Sequence, residues 1–205
     1  LTTVLAPVAR TQTDIDVLHY RAAIAFDLAN ARLNGVATLR VTDAKQDFDL
    51  HLRDLTATSV AVGTQPLTYT QSDGLLHLRL NGAPAASDTI TVVIAYGGHA
   101  TSEAGPSSWG GCFWGNPTFA MGVGFYAPYV SMTRHWLPSN DIPSDKATFD
   151  LTFTVPDPYV AAGSGLLQEV RHDTGWTSYR WVEAHPSATY CIMYAIDRYA
   201  RITAD

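Results

Sequence analysis

Ala147-Thr148-Phe149-Asp150-Leu151-Thr152-Phe153-Thr154-Val155 alternates apolar and polar residues without a break. Successive side chains of a strand point to opposite faces. The stretch therefore reads as one strand, with Ala147, Phe149, Leu151, Phe153 and Val155 on a buried side and the threonines and Asp150 on a wet one. The same period of two recurs along the rest of the chain. Leu18, Tyr20, Ala22, Ile24, Phe26 and Leu28 alternate with His19, Arg21, Ala23, Ala25 and Asp27. Leu33, Ala37, Leu39 and Val41 repeat it, as do Phe48, Leu50 and Leu52, then Leu76, Leu78 and Leu80, then Ile90, Val92, Ile94 and Tyr96. Later strands fit 158–162, 165–171, 176–183 and 189–198, and no window has a helical period.

Sheets with one buried face are typically antiparallel, and the punctuation agrees. Asn34-Gly35, Ser72-Asp73-Gly74, Asn81-Gly82 and Asp173-Thr174-Gly175 supply the residues that tolerate positive φ in turns. Gly35 lies inside its run and predicts a bulge or a turn there. The expected fold is all-β: a mostly antiparallel, saddle-like β-sandwich, with residues 1–205 forming a single β domain whose ordered core runs from about 14 to 198.

Composition narrows the function. The 205 residues carry 13 Lys+Arg against 19 Asp+Glu, a formal net charge of −6. Only two of the basic residues are lysines (Lys45 and Lys146), and none cluster, which argues against a nucleic-acid partner that needs its phosphates neutralised. No apolar run approaches the roughly 20 residues that span a bilayer, and no charged-then-apolar segment opens the chain. Low lysine with abundant Thr and Ala fits an exported bacterial protein (periplasmic or extracellular) somewhat better than a cytoplasmic one, its signal segment removed. Cys112 and Cys191 permit at most one disulfide, and their apolar neighbours read as buried free thiols.

Catalytic and metal motifs are missing. There is no His-Glu-x-x-His, no phosphate-binding glycine loop and no G-x-S-x-G, since residue 162 before Gly163-Ser164-Gly165 is Ala. His19, His51 and His77 fall on polar strand faces, where three such rings could in principle hold zinc; they read as solvated side chains. The three glutamates, Glu103, Glu169 and Glu183, have no evident acid–base partner. Asp141 and Asp145 flank Pro143, which implies a turn and not a shared catalytic face. From Gly97 to Pro143 the rhythm breaks into a Gly-, Pro- and aromatic-rich stretch holding Trp109, Trp114, Tyr126 and Tyr129. So long a loop is either functional or packed against a neighbour; the plainer reading is an aromatic corner closing the sandwich.

Within that stretch, Thr133-Arg134-His135-Trp136-Leu137-Pro138-Ser139-Asn140-Asp141-Ile142-Pro143-Ser144-Asp145-Lys146-Ala147-Thr148-Phe149 resembles a signature of the N-terminal domain of M1-family zinc aminopeptidases. Arg134, Trp136, Pro138, Asp141, Pro143, Lys146, Ala147 and Phe149 fill the positions of an Arg-x-aromatic-x-Pro-x-x-Asp-x-Pro-x-x-Lys-Ala-x-Phe run. Asp16-Val17-Leu18-His19-Tyr20, Gly163-Ser164-Gly165-Leu166-Leu167 and the spacing of Trp181, Pro186 and Tyr190 resemble flanking parts of the same domain. The resemblance runs in order from about Asp14 to Ile196.

What it implies is a saddle-like β domain that lacks the family's chemistry. The family's Gly-x-Met-Glu-Asn loop and its His-Glu-x-x-His with a distal Glu belong to a following domain, and neither occurs here. The chain then has no catalytic or metal-binding residue of its own; zinc is expected in the catalytic domain of the same polypeptide, with peptides as substrate and no membrane span. Arg134, Trp136, Pro138, Asp141, Pro143 and Lys146 would hold a loop, with Asp141 accepting backbone N–H bonds or pairing with Arg134 or Lys146. Trp109, Trp114, Tyr126 and Tyr129 would line the substrate wall. The family's amine-binding Gln or Glu is replaced, Tyr129 standing nearest its position, and a phenol cannot offer a carboxylate to an ammonium. The alternative is a non-catalytic, extracellular β-sandwich that binds glycan or peptide through the aromatic loop.

Overall fold

In the computed structural model the described residues are 15–85, 88–103, 109–124 and 130–200. Fifteen strands are formed: β1 (Asp16–Asp27), β2 (Arg32–Thr42), β3 (Asp47–His51), β4 (Thr56–Val62), β5 (Gln65–Pro66), β6 (Thr68–Ser72), β7 (Leu75–Arg79), β8 (Ile90–Gly98), β9 (Gly111–Phe113), β10 (Thr118–Met121), β11 (Lys146–Pro156), β12 (Val160–Gly163), β13 (Leu166–Asp173), β14 (Trp176–Ala188) and β15 (Met193–Asp197). Among the described residues the only helical elements are two 3-10 turns, Thr133–His135 and Thr189–Cys191. The large sheet runs β13-β14-β11-β1-β2-β8-β4-β5; β12-β15-β10-β9 and β3-β7-β6 form two smaller ones. Among the described residues every ladder is antiparallel except β1 with β11.

The alternation places the core as expected. Ala147, Phe149, Leu151, Phe153 and Val155 on β11 are all buried, as are Tyr20, Ala22, Ile24 and Phe26 on β1. Tyr20 stacks on Phe149 across the parallel pair at 5.0 Å. Phe26 meets Tyr194 of β15 at 4.9 Å, which seats the four-stranded sheet on the inner face of the large one. Each such ring removes enough apolar surface from water to contribute about 2–3 kcal/mol.

Several expectations need correcting. Leu18 is 38% exposed, because a bulge between Val17 and His19 shifts the pairing with β2 and turns Val17 and Tyr20 inward instead. Gly35 makes neither a bulge nor a turn. It sits in the regular ladder between Ile24 and Tyr96, where an added Cβ would lie 2.7 Å from the Tyr96 ring, so that ring fills the space a side chain would take. The last predicted strand begins only at Met193, since Thr189–Cys191 turns to anchor on the motif segment. β14 continues past residue 183, with Pro186 in an irregular stretch of the β11 ladder where its missing N–H costs nothing. Cys112 is buried but Cys191 is exposed, and both are free thiols. Asp73-Gly74 is the two-residue turn expected of its sequence, both residues at positive φ between paired Ser72 and Leu75.

Candidate functional site

The motif segment 131–145 is an almost wholly buried polar strap between the sheets. Arg134 and Asp141 are both buried, and the Arg134 Nε donates to Asp141 Oδ2 at 3.0 Å. The same carboxylate oxygen accepts the Arg134 backbone N–H at 3.1 Å, and Asp141 Oδ1 accepts the Thr189 hydroxyl at 2.6 Å. The guanidinium also reaches the Ser131 carbonyl at 2.9 Å. Of the two cationic partners open to Asp141, Arg134 is the one used; Lys146 stands exposed at the start of β11. A desolvated charge is tolerated only when it is paired and its remaining hydrogen-bonding sites are filled, which this arrangement does.

Around this pair the strap stitches distant strands together. His51 and Ser139 exchange backbone hydrogen bonds of 2.7 and 3.0 Å, and the Asp141 N–H donates to His51 Nδ1 at 3.1 Å. Burial, followed by the Arg134 charge, lowers the His51 pKa, in keeping with an imidazole that accepts. The Tyr96 hydroxyl donates to the Trp136 carbonyl at 3.1 Å, and the Asn140 N–H donates to the Tyr20 oxygen at 3.0 Å. Trp136 is fully buried against Tyr194 and Phe153. Pro138 is buried. Pro143 lies in the turn closed by Asp145 N–H to Ile142 O at 3.2 Å, so Asp141 and Asp145 serve separate networks. Asp145 accepts Asn140 Nδ2 at 2.6 Å and the Val17 N–H, and burial pushes its carboxyl up to about 7. Thr189, Ser139 and His51 complete this lattice without any local sequence signal, because their partners are far away along the chain, and Asn140 joins nearby Asp145 to distant Tyr20 and Ile15.

The aromatic residues are distributed unequally. β9 and β10 form a hairpin in which Phe113 stacks on Phe119 at 4.9 Å. Trp109 precedes β9 and is 57% exposed. Trp114 follows β9 and turns inward: its indole N–H donates to the Ala100 carbonyl at 2.7 Å, and its ring packs on Phe26 and His99. The two tryptophans therefore stand at opposite ends of the strand and share no stacking surface. Tyr126 and Tyr129 lie outside the described residues.

The histidines weighed as ligands stay apart. His19 bonds Thr148 on the large sheet, while His77 bonds Asp49 on the small one. Among the described residues no three His, Cys, Asp or Glu side chains come together as a metal site. Glu103, which has no visible partner in the sequence, meets buried His135 at 3.1 Å, and Thr101 approaches the other ring nitrogen at 2.9 Å. Burial lowers the His135 pKa against the opposing pull of Glu103. Thirty-two residues separate the pair, so no spacing rule would have found it. Ser164 is a turn residue that accepts the Met193 N–H, not a nucleophile.

No family model matches the chain, and no curated protein does. Solved structures do. The chain is similar to an M1 zinc metallopeptidase from Deinococcus radiodurans, with a TM-score of 0.81 and 24% identity over 91% of this chain and 42% of that one. A mutant form of that enzyme bound to a Tyr-Ser-Ala substrate gives 0.80 and 23%, over 90% and 42%. A two-domain M1 zinc metallopeptidase mutant bound to L-tryptophan gives 0.78 and 23%, over 90% and 43%. The chain thus spans less than half the length of the peptidases it matches. Its architecture is the all-β fold that the motif resemblance implied for an M1 N-terminal domain.

Proposed function

We propose that this chain is the non-catalytic N-terminal domain of an M1-like zinc aminopeptidase, capping the active-site cleft and contributing part of the substrate wall from residues 109–129. The observation that supports it most directly is the likeness of nearly the whole chain to less than half of a zinc metallopeptidase, with the motif Arg134–Asp141 spent on holding the fold. Zinc and the groups that activate water on it belong, in this reading, to the remainder of the polypeptide; no trio of ligands converges among the described residues, and no chemical step is assigned to them. The strap reaches the hairpin just after β10, where the Met132 N–H donates to Gly122 O at 2.6 Å. Within the described part of that wall, β9 and β10 are paired as a hairpin, and a fixed wall is what orientation of a substrate requires.

Trp109, 57% exposed, is the described residue of this wall that a peptide or a neighbouring domain would meet. A stacking platform for glycans would lack Trp114, whose ring and N–H are already engaged. The test is hydrolysis of aminoacyl and peptide substrates. The purified 205-residue chain should show none, and the longer polypeptide should show activity that a chelator removes. Chelator-sensitive hydrolysis by the chain alone would overturn the reading.

A further inference from the structure

Three contacts run in series through the wall of the β9 hairpin. Glu103 Oε2 lies 3.1 Å from His135 Nε2, His135 Nδ1 lies 2.9 Å from Thr101 Oγ1, and Thr101 Oγ1 donates to Asp54 Oδ2 at 2.5 Å. Three contacts need three protons. The Thr101 hydroxyl has one, and it goes to the Asp54 carboxylate. Its oxygen can then only accept, so Nδ1 must carry a hydrogen, and Nε2 must carry another to meet the Glu103 carboxylate. A neutral imidazole has one N–H. With His135 neutral, one of the three contacts is two acceptors face to face.

We propose that Glu103, His135, Thr101 and Asp54 form a proton-closed clasp, complete only when His135 is an imidazolium, that tightens the attachment of the β9 hairpin. The mechanical link is the backbone between the two. Ser102 bridges Gly111, the Glu103 N–H donates to the Gly110 carbonyl at 3.1 Å, and the Cys112 N–H donates to the Thr101 carbonyl at 2.8 Å. Whatever fixes Thr101 and Glu103 to the Thr133–His135 turn therefore fixes residues 110–112 as well. An added Cβ on Gly111 would approach the His135 ring to 3.2 Å, so hairpin and ring are in close contact.

The charges facing the ring come from each packed element. Glu103 and Asp54 favour the imidazolium, and Arg53 beside Asp54 opposes it. Arg134, next in the chain, is paired with Asp141. From β9 the one ionisable side chain is Cys112, whose thiol contacts the Tyr194 hydroxyl at 3.0 Å instead. Burial is the largest influence and sets the closing pH below the ordinary histidine value of 6.5. This inference concerns the β9 hairpin whatever the parent protein does.

The experiment is nitrogen-15 NMR of the 205-residue chain from pH 8 to pH 4.5, following the His135 ring nitrogens and amide exchange at Glu103 and Cys112. On acidification His135 should pass from one to two protonated nitrogens. Exchange at both amides, corrected for its intrinsic pH dependence, should slow by roughly threefold to tenfold, the factor of one net hydrogen bond. Glu103→Gln brings an N–H₂ that donates to a neutral Nε2, so it should show the slow exchange already at pH 8. His135→Gln should fold, judged by its spectrum, and lose the pH dependence. The proposal is overturned if His135 keeps a single ring proton throughout, if its protonation leaves both amides unchanged, or if Glu103→Gln behaves as the wild type does.

Discussion

Replacing Asp141 by Ala would remove the carboxylate that pairs with the buried Arg134 guanidinium. Three hydrogen bonds end on that carboxylate: from Arg134 Nε at 3.0 Å, from the Arg134 backbone N–H at 3.1 Å and from the Thr189 hydroxyl at 2.6 Å. Breaking a buried pair by deleting one partner costs about 3–5 kcal/mol, most of it the penalty of keeping the other charge dry. Against a global stability of roughly 5–15 kcal/mol, that is a large fraction. With a urea slope of about 2–3 kcal/mol per molar for a domain of this size, the midpoint should fall by about 1–2 M. Urea denaturation followed by tryptophan fluorescence suits the measurement, since Trp136 is buried within the strap itself, against Tyr194. The double variant Arg134→Met with Asp141→Leu separates charge from shape. It should regain about 2 kcal/mol or more over Asp141→Ala, because no unpaired charge is left inside. A cost below about 1 kcal/mol for Asp141→Ala, or a double variant no more stable than the single, would refute the reasoning.

Gly35→Ala should destabilise by about 1–3 kcal/mol in the same assay, because the new methyl meets the Tyr96 ring at 2.7 Å and that ring is held by its bond to Trp136 O. The Asp145 carboxyl is raised to about 7, mainly by burial, from an ordinary 3.8. A raised pKa stabilises the fold below the unfolded value and is lost as pH climbs through the folded one, so stability should decline between about pH 4 and 7. Asp145→Asn should flatten that decline in pH-resolved urea titrations. Cys191 should react with a thiol reagent in the folded protein, while Cys112, buried and pushed up to about 12, should react only on unfolding.

Period-two alternation, a rule local to each strand, made most of the large sheet legible, including the apolar side of β11. Asp150, expected on the wet side, is buried too, because the Arg180 guanidinium covers and pairs with it at 2.8 and 2.9 Å. Leu18 escaped that rule because a bulge is a property of two strands at once, and β1 alone gives no sign of it. β4 to β6 and the β9 hairpin were missed for separate reasons. An irregularity between Ala57 and Ser59 breaks the alternation of β4, while β5, β9 and β10 are four residues or fewer. β6 is polar and held by partners elsewhere, as when its Gln71 Nε2 donates to the Leu55 carbonyl at 2.5 Å. The motif residues were visible as a pattern, and the turn at Pro143 followed from chemistry. The choice of Arg134 over Lys146 for Asp141 depended on which side chain the fold buries. His135 with Glu103 had no signal in the sequence, since the pair forms only when two well-separated segments meet at β9.

The account's central claim is that this β domain serves a zinc peptidase whose chemistry lies elsewhere in the same polypeptide. Reading the coding DNA beyond Asp205 tests it most directly. The account predicts a Gly-x-Met-Glu-Asn loop followed by His-Glu-x-x-His and a distal Glu within the next couple of hundred codons. A reading frame that stops soon after Asp205, or one that continues without those histidines, would contradict it.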